Sequence, residues 1–92
     1  MQVRSMRIEE AIKTVEKTLR EKGYSVTREV EDGDQVLVVQ LGDRKAKVRF
    51  HGEAGELLEL HLKYENVPGV TILKCERYLE SMRCIEDLLS RL

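Results

Sequence analysis

Tryptophan is absent from this chain of 92 residues, and phenylalanine and proline each occur once. A core built with so few rings is aliphatic, and little is available to stack on nucleic-acid bases. No apolar run is long enough to span a bilayer, and no secretory leader pattern is present. The expectation is a cytoplasmic protein without a membrane partner. Excess charge of either sign is also missing: the formal net charge is −1. Any nucleic-acid or other charged partner therefore needs a local patch. Amide side chains are scarce, with three glutamines and one asparagine against a charged share of 36%. That balance points to a thermophilic origin.

Catalytic motifs are missing as well. There is no glycine-rich phosphate loop, no cysteine–histidine nucleophile pair and no serine in a strand-to-helix elbow. Asp43-Arg44-Lys45 has the acid-x-Lys spacing of metal-dependent nucleases. Asp43 is needed by a turn, however, and no second acid is placed beside it. The reading is a non-enzymatic chain with no catalytic, cofactor or metal residues, and a nuclease-like enzyme is the weakest alternative.

What is present is periodicity. Residues 1–6 fit no pattern and read as a flexible tail, with Met6 as an alternative start, ahead of one domain over 7–92. Ile8, Ile12, Val15 and Leu19 form a helical stripe over Arg7–Lys22, capped by Ser5 and stopped by Gly23. Four strands follow: Tyr24–Val30, Gln35–Leu41, Arg44–His51 and Leu57–Tyr64, with turns at Asp32-Gly33, Gly42-Asp43 and Gly52–Glu56. A second helix over Thr71–Leu92 completes the expectation, with Cys75, Tyr78, Met82, Ile85, Leu89 and Leu92 on its stripe. Cys75 and Cys84 then sit on opposite sides of one helix, too far apart to bridge, and read as reduced thiols. The fold class is α+β in two layers: helix, four-stranded antiparallel meander, helix, with both helices on one sheet face. This element order resembles double-stranded-RNA-binding domains and the small Alu proteins of the signal recognition particle, which use three strands. The lysine cluster that opens the last helix of the former is replaced here by Val70-Thr71-Ile72-Leu73-Lys74.

Alternation within the strands assigns the faces. Val26, Val30, Leu37, Val39, Leu41, Ala46, Val48, Phe50, Leu58, Leu60 and Leu62 point inward, broken only by Arg28. The five-residue turn sets Val48 opposite Leu60, Phe50 opposite Leu58 and Arg49 opposite Glu59. On the open face stand Val36, Val38, Lys45, Lys47, Arg49, His51, His61 and Lys63, with Leu57 and Glu59. The first eight of these are the candidate interaction surface. The basic ones could track a phosphate backbone, the valines could meet a protein, and the whole face could simply be solvated. In this register His51 and His61 lie about 13 Å apart, too far to share a metal. The wide second-helix stripe, the two valines and an unguarded fourth strand together predict a homodimer paired through that strand's edge, giving an eight-stranded sheet.

Overall fold

The computed structural model describes residues 5–92, so the expected tail lies outside the described residues over positions 1–4. An antiparallel sheet of five strands, in meander order, carries two α-helices on one face. The chain runs α1 (Ile8–Glu21), β1 (Ser25–Glu31), β2 (Asp34–Leu41), β3 (Arg44–Glu53), β4 (Glu56–Tyr64), β5 (Thr71–Lys74), a 3-10 turn (Cys75–Arg77) and α2 (Ser81–Ser90). Ala11, Ile12, Val15 and Leu19 of α1, with Cys84, Ile85 and Leu88 of α2, close over Leu37, Val39, Val48, Phe50, Leu60 and Leu62 of the sheet.

Helix α1 begins without the expected serine cap: Arg7 is its N-cap and makes no side-chain capping bond. The segment before it is held by the sheet instead. The Leu57 amide donates to the Met6 carbonyl at 2.8 Å, and the Ile8 amide donates to the Gly55 carbonyl at 2.8 Å. The other end is a Schellman stop: the Gly23 amide reaches the Arg20 carbonyl, and the Tyr24 amide reaches that of Leu19. Gly23 takes the positive φ of 88° that this motif requires.

Arg28 is not a stray charge in the apolar face. Its guanidinium donates to Glu9 at 2.9 Å and to Glu16 at 3.2 Å, both on α1. Burial pushes the Glu16 carboxyl up, but hydrogen bonds from Arg20 and Arg28 outweigh it and hold Glu16 below its ordinary value. Arg20 also caps the free edge of the sheet. The Asp32-Gly33 turn, with φ of 51° and 84°, makes Glu31 and Asp34 a hydrogen-bonded pair. Counting back by parity, Val26 and Val39 form a pair without cross-strand bonds, so the Val26 carbonyl points away from β2. The Arg20 side chain donates to that carbonyl at 2.8 Å. Val30 lies beyond the cover of α1 and is 63% exposed, against the inward position its alternation predicts.

The hairpin of β3 and β4 departs from the expected register. The turn is the two-residue Ala54-Gly55, and a bulge between His51 and Gly52 absorbs Leu58 as an extra residue of β4. Val48 therefore faces Leu62 and Phe50 faces Leu60, a slide of two residues. A slide of two keeps parity, so Leu60 and Leu62 remain inside. At the bulge itself the faces change: Leu57 is buried and Leu58 only half-buried. Gly52 is required there for space. A Cβ at this position would sit 1.8 Å from the Glu56 carbonyl oxygen and 2.9 Å from the Ile8 side chain.

The largest correction concerns residues 71–92. Thr71–Lys74 is a fifth strand, not helix, and pairs with β4 through Leu60↔Leu73 and His61↔Ile72. Pro68 and Gly69 interrupt the chain before it, and Thr71-Ile72-Leu73 alternates like a strand with β-branched residues at its head. The chain then reverses, and α2 starts only at Ser81. Its buried seam is Ser81, Cys84, Ile85 and Leu88, while Leu79 is 72% exposed. The reversal brings Cys75 and Cys84 together in a disulfide with Cα atoms 5.2 Å apart, overturning the expectation of reduced thiols that cannot bridge. Two hydrogen bonds fasten the end of the chain: the Tyr78 hydroxyl donates to Asp87 and the Tyr64 hydroxyl to the Arg91 carbonyl, each at 2.6 Å. The Tyr78 and Arg91 bonds hold the Asp87 carboxyl below its ordinary value, and Asp87 in turn pushes the Tyr78 phenol up.

Candidate interaction face

The face opposite the helices carries rows of side chains that the registers place side by side. One row runs Thr27, Val38, Lys47, Lys63; the next runs Glu29, Val36, Arg49, His61, Ile72. Lys47 thus stands directly opposite Lys63, and Arg49 opposite His61 rather than Glu59. A third row holds Glu31, Asp34, His51, Glu59 and Lys74, joined through Glu31↔Asp34, His51↔Glu59 and Glu59↔Lys74 and by the contact of His51 with Asp34.

All eight predicted surface residues fall on this face, with different exposures. Val36 is 1% exposed, so it is a floor and not a contact patch; Val38 is half-buried. Around Val36 lies a depression of about 320 Å³, walled by Glu31, Lys47, Arg49, His61 and Lys63, with Val70 at the rim. Lys45 and His51 lie outside it.

Carboxylates neutralise much of the basic character that the sequence suggests. Lys47 bonds Glu31 at 3.0 Å, which raises the lysine above its ordinary pKa. His51 contacts Asp34 at 3.1 Å and His61 contacts Glu59 at 2.8 Å. The bond from His61 holds Glu59 below its usual carboxylate range. Two cations are less well served. Arg49 approaches Asp34 at 3.5 Å, Glu31 at 3.8 Å and Asp32 at 3.9 Å, at or beyond the reach of a hydrogen bond. Lys63 bonds only the Tyr64 and Val67 carbonyls, and among the described residues no carboxylate pairs with it.

The slide also brings the two histidines together. Their rings stack with centroids 6.0 Å apart, against the separation of about 13 Å expected from the sequence. Each ring leans on its own carboxylate, and among the described residues no three metal-ligating groups converge. Asp43 sits exposed in the turn between β2 and β3.

Three features were missed in the sequence. Glu31 and Asp34 flank the Asp32-Gly33 turn and neutralise this face. Val70 and Ile72, each 51% exposed, and Val67, 46% exposed, form an apolar border along β5 and the loop before it. The edge of β4 is occupied by β5, which removes pairing through the fourth strand. The alternation of Thr71-Ile72-Leu73 was the available signal for the last two. No helix among the described residues is long and apolar enough to cross a membrane. No protein-family model matches this chain, and no curated protein or solved structure matches it either.

Proposed function

We propose that this chain is a small, non-enzymatic binding or scaffold module that works as a homodimer through the edge of β5, with the open sheet face as its interaction surface. The observation that carries the reading is the contrast between the two edges. The β1 edge has a carbonyl capped by Arg20 and an inward charge, Arg28, tied to α1. The β5 edge has neither, and Val70 and Ile72 stand exposed on it. Antiparallel pairing of two β5 strands about a two-fold axis at Ile72 sets that residue against its own copy and Val70 against the partner's Lys74. The result is one continuous sheet of twice five strands.

A nucleic-acid backbone finds poorer support. Glu29, Glu31, Asp34 and Glu59 share the face with the lysines, and among the described residues no phenylalanine or tyrosine stands on it. Sedimentation equilibrium tests the dimer. Ile72→Lys removes two buried isoleucines per dimer, each worth about 1.5–3 kcal/mol, and weakens association by roughly 100-fold or more. The circular dichroism spectrum stays unchanged. A wild-type chain that remains strictly monomeric at high concentration refutes the reading.

A further inference from the structure

The pairing of Lys47 with Lys63 breaks a local rule. Like charges directly opposite on adjacent strands repel, and sheets ordinarily avoid them. Here the pair lies beside a third cation, Arg49, around one depression with an apolar floor. Glu31 is the sole carboxylate in the lining of that depression, and it is shared between Lys47 and Arg49. Lys63 has none. The Arg49 side chain is 30% exposed, and its carboxylate contacts among the described residues are all ion pairs of 3.5 Å or more, leaving its fork of N–H donors free for a closer acceptor.

From this geometry we infer that the depression is a binding site for a single carboxylate group, gripped by Arg49 and Lys63 with Lys47 beside them. An incoming carboxylate supplies the counter-charge that Lys63 lacks and relieves the repulsion across the β3–β4 pair. Its two oxygens match the planar donors of Arg49. The walls fit one anion better than a track of phosphates, because Glu29, Asp34 and Glu59 flank the site on the same face and repel an extended polyanion. The depression of about 320 Å³ suits an acidic side chain or a small free carboxylic acid. The inference rests on the reading of the open face as a binding surface and does not need the dimer.

The test is a heteronuclear NMR titration of the full chain at low ionic strength, following the Arg49 Nε–H resonance and the amides of Val36 and His61. The probes are succinate, a Gly-Glu-Gly peptide blocked at both ends so that it carries one carboxylate, and a short DNA duplex. Succinate and the peptide are expected to give saturable shifts that vanish in Arg49→Gln. Lys63→Gln weakens them by about tenfold or more, and Arg49→Lys keeps the charge but loses most of the affinity. Unchanged circular dichroism certifies each fold. A peptide bound about tenfold tighter than succinate identifies a polypeptide carboxylate, and equal affinity identifies a free acid. Three results overturn the inference: no shift at Arg49 with either carboxylate, shifts that persist in folded Arg49→Gln, or a duplex that binds more tightly than both. Sedimentation without ligand reads the dimer separately, so the two ideas fail independently.

Discussion

Reduction of the Cys75–Cys84 disulfide perturbs one covalent link and nothing else in the sequence. The two residues are nine apart and both sulfurs are fully buried between the sheet and α2. In the loop-closure account, tethering a segment of about nine residues lowers the entropy of the unfolded chain and stabilises the fold by about 2.6 kcal/mol at room temperature. For a domain of this length each kcal/mol moves the melting temperature by about 4–8 °C, so reduction should lower it by about 10–20 °C. The assay is calorimetric unfolding with and without reductant, with intact mass confirming the redox state. Cys75→Ala/Cys84→Ala should melt at least as low as the reduced chain, because it also removes buried sulfur from the core. Hydrogen exchange adds a local readout. Amides of β5 and α2, which the link joins, should lose more protection than those of β2 and β3. Identical melting of oxidised and reduced protein would refute the reasoning, as would alkylation of both thiols in the native, unreduced chain.

Two further perturbations follow from other parts of the fold. Gly52→Ala places a methyl group inside the Glu56 carbonyl, and because the obstacle is backbone it should cost roughly 3 kcal/mol or more, read by urea unfolding; a loss under about 1 kcal/mol means the bulge can open freely. The Tyr78–Asp87 bond sets a pH window. Asp87 has a lowered carboxyl, so its contribution is present above the ordinary carboxylate range and lost as pH falls through the folded value. Tyr78 has a raised phenol, so its contribution is present below the ordinary phenol range and lost as pH rises through the folded value. Tyr78→Phe should therefore flatten both limbs of a melting-temperature profile, and a profile identical to wild type would exclude the bond from the energetics.

Parity was legible in this sequence, and distance was not. The alternation of Lys45 to His51 and of Leu58 to Lys63 assigns faces correctly through most of the sheet, because a buried face tolerates no odd slip. It is blind to a slip of two, since that leaves every face unchanged. The slip at Gly52 depends on a bulge stabilised by α1 packing against the turn, a tertiary contact with no local pattern. The second helix failed for a related reason. Ile72, Cys75, Tyr78 and Met82 step by three and four, which fits a helix as a list of intervals, but Leu73 is needed beneath Leu60 on the sheet. Tertiary demand for a strand outweighed the helical spacing, and the cysteines followed the reversal.

The same slip of two decides what the open face can do. In the register read from the sequence, Arg49 meets Glu59, His61 meets Lys47 and Lys45 meets Lys63, which leaves the histidines apart. In the folded chain, Lys47 meets Lys63 and Arg49 meets His61. The change concentrates three cations around Val36 and moves Glu59 away to the His61 side chain and Lys74. Apart from Leu57, which turns inward at the bulge, β3 and β4 give the same side chains to the face in both registers. The depression, with a lysine that no carboxylate pairs among the described residues and a loosely held arginine, is the product of the two-residue turn together with the extra residue that the bulge admits. Both registers set two lysines face to face, so the like-charge pair alone does not distinguish them; the folded one places that pair beside Arg49 over Val36. That convergence is the physical reason to look for an anion between Lys47, Arg49 and Lys63.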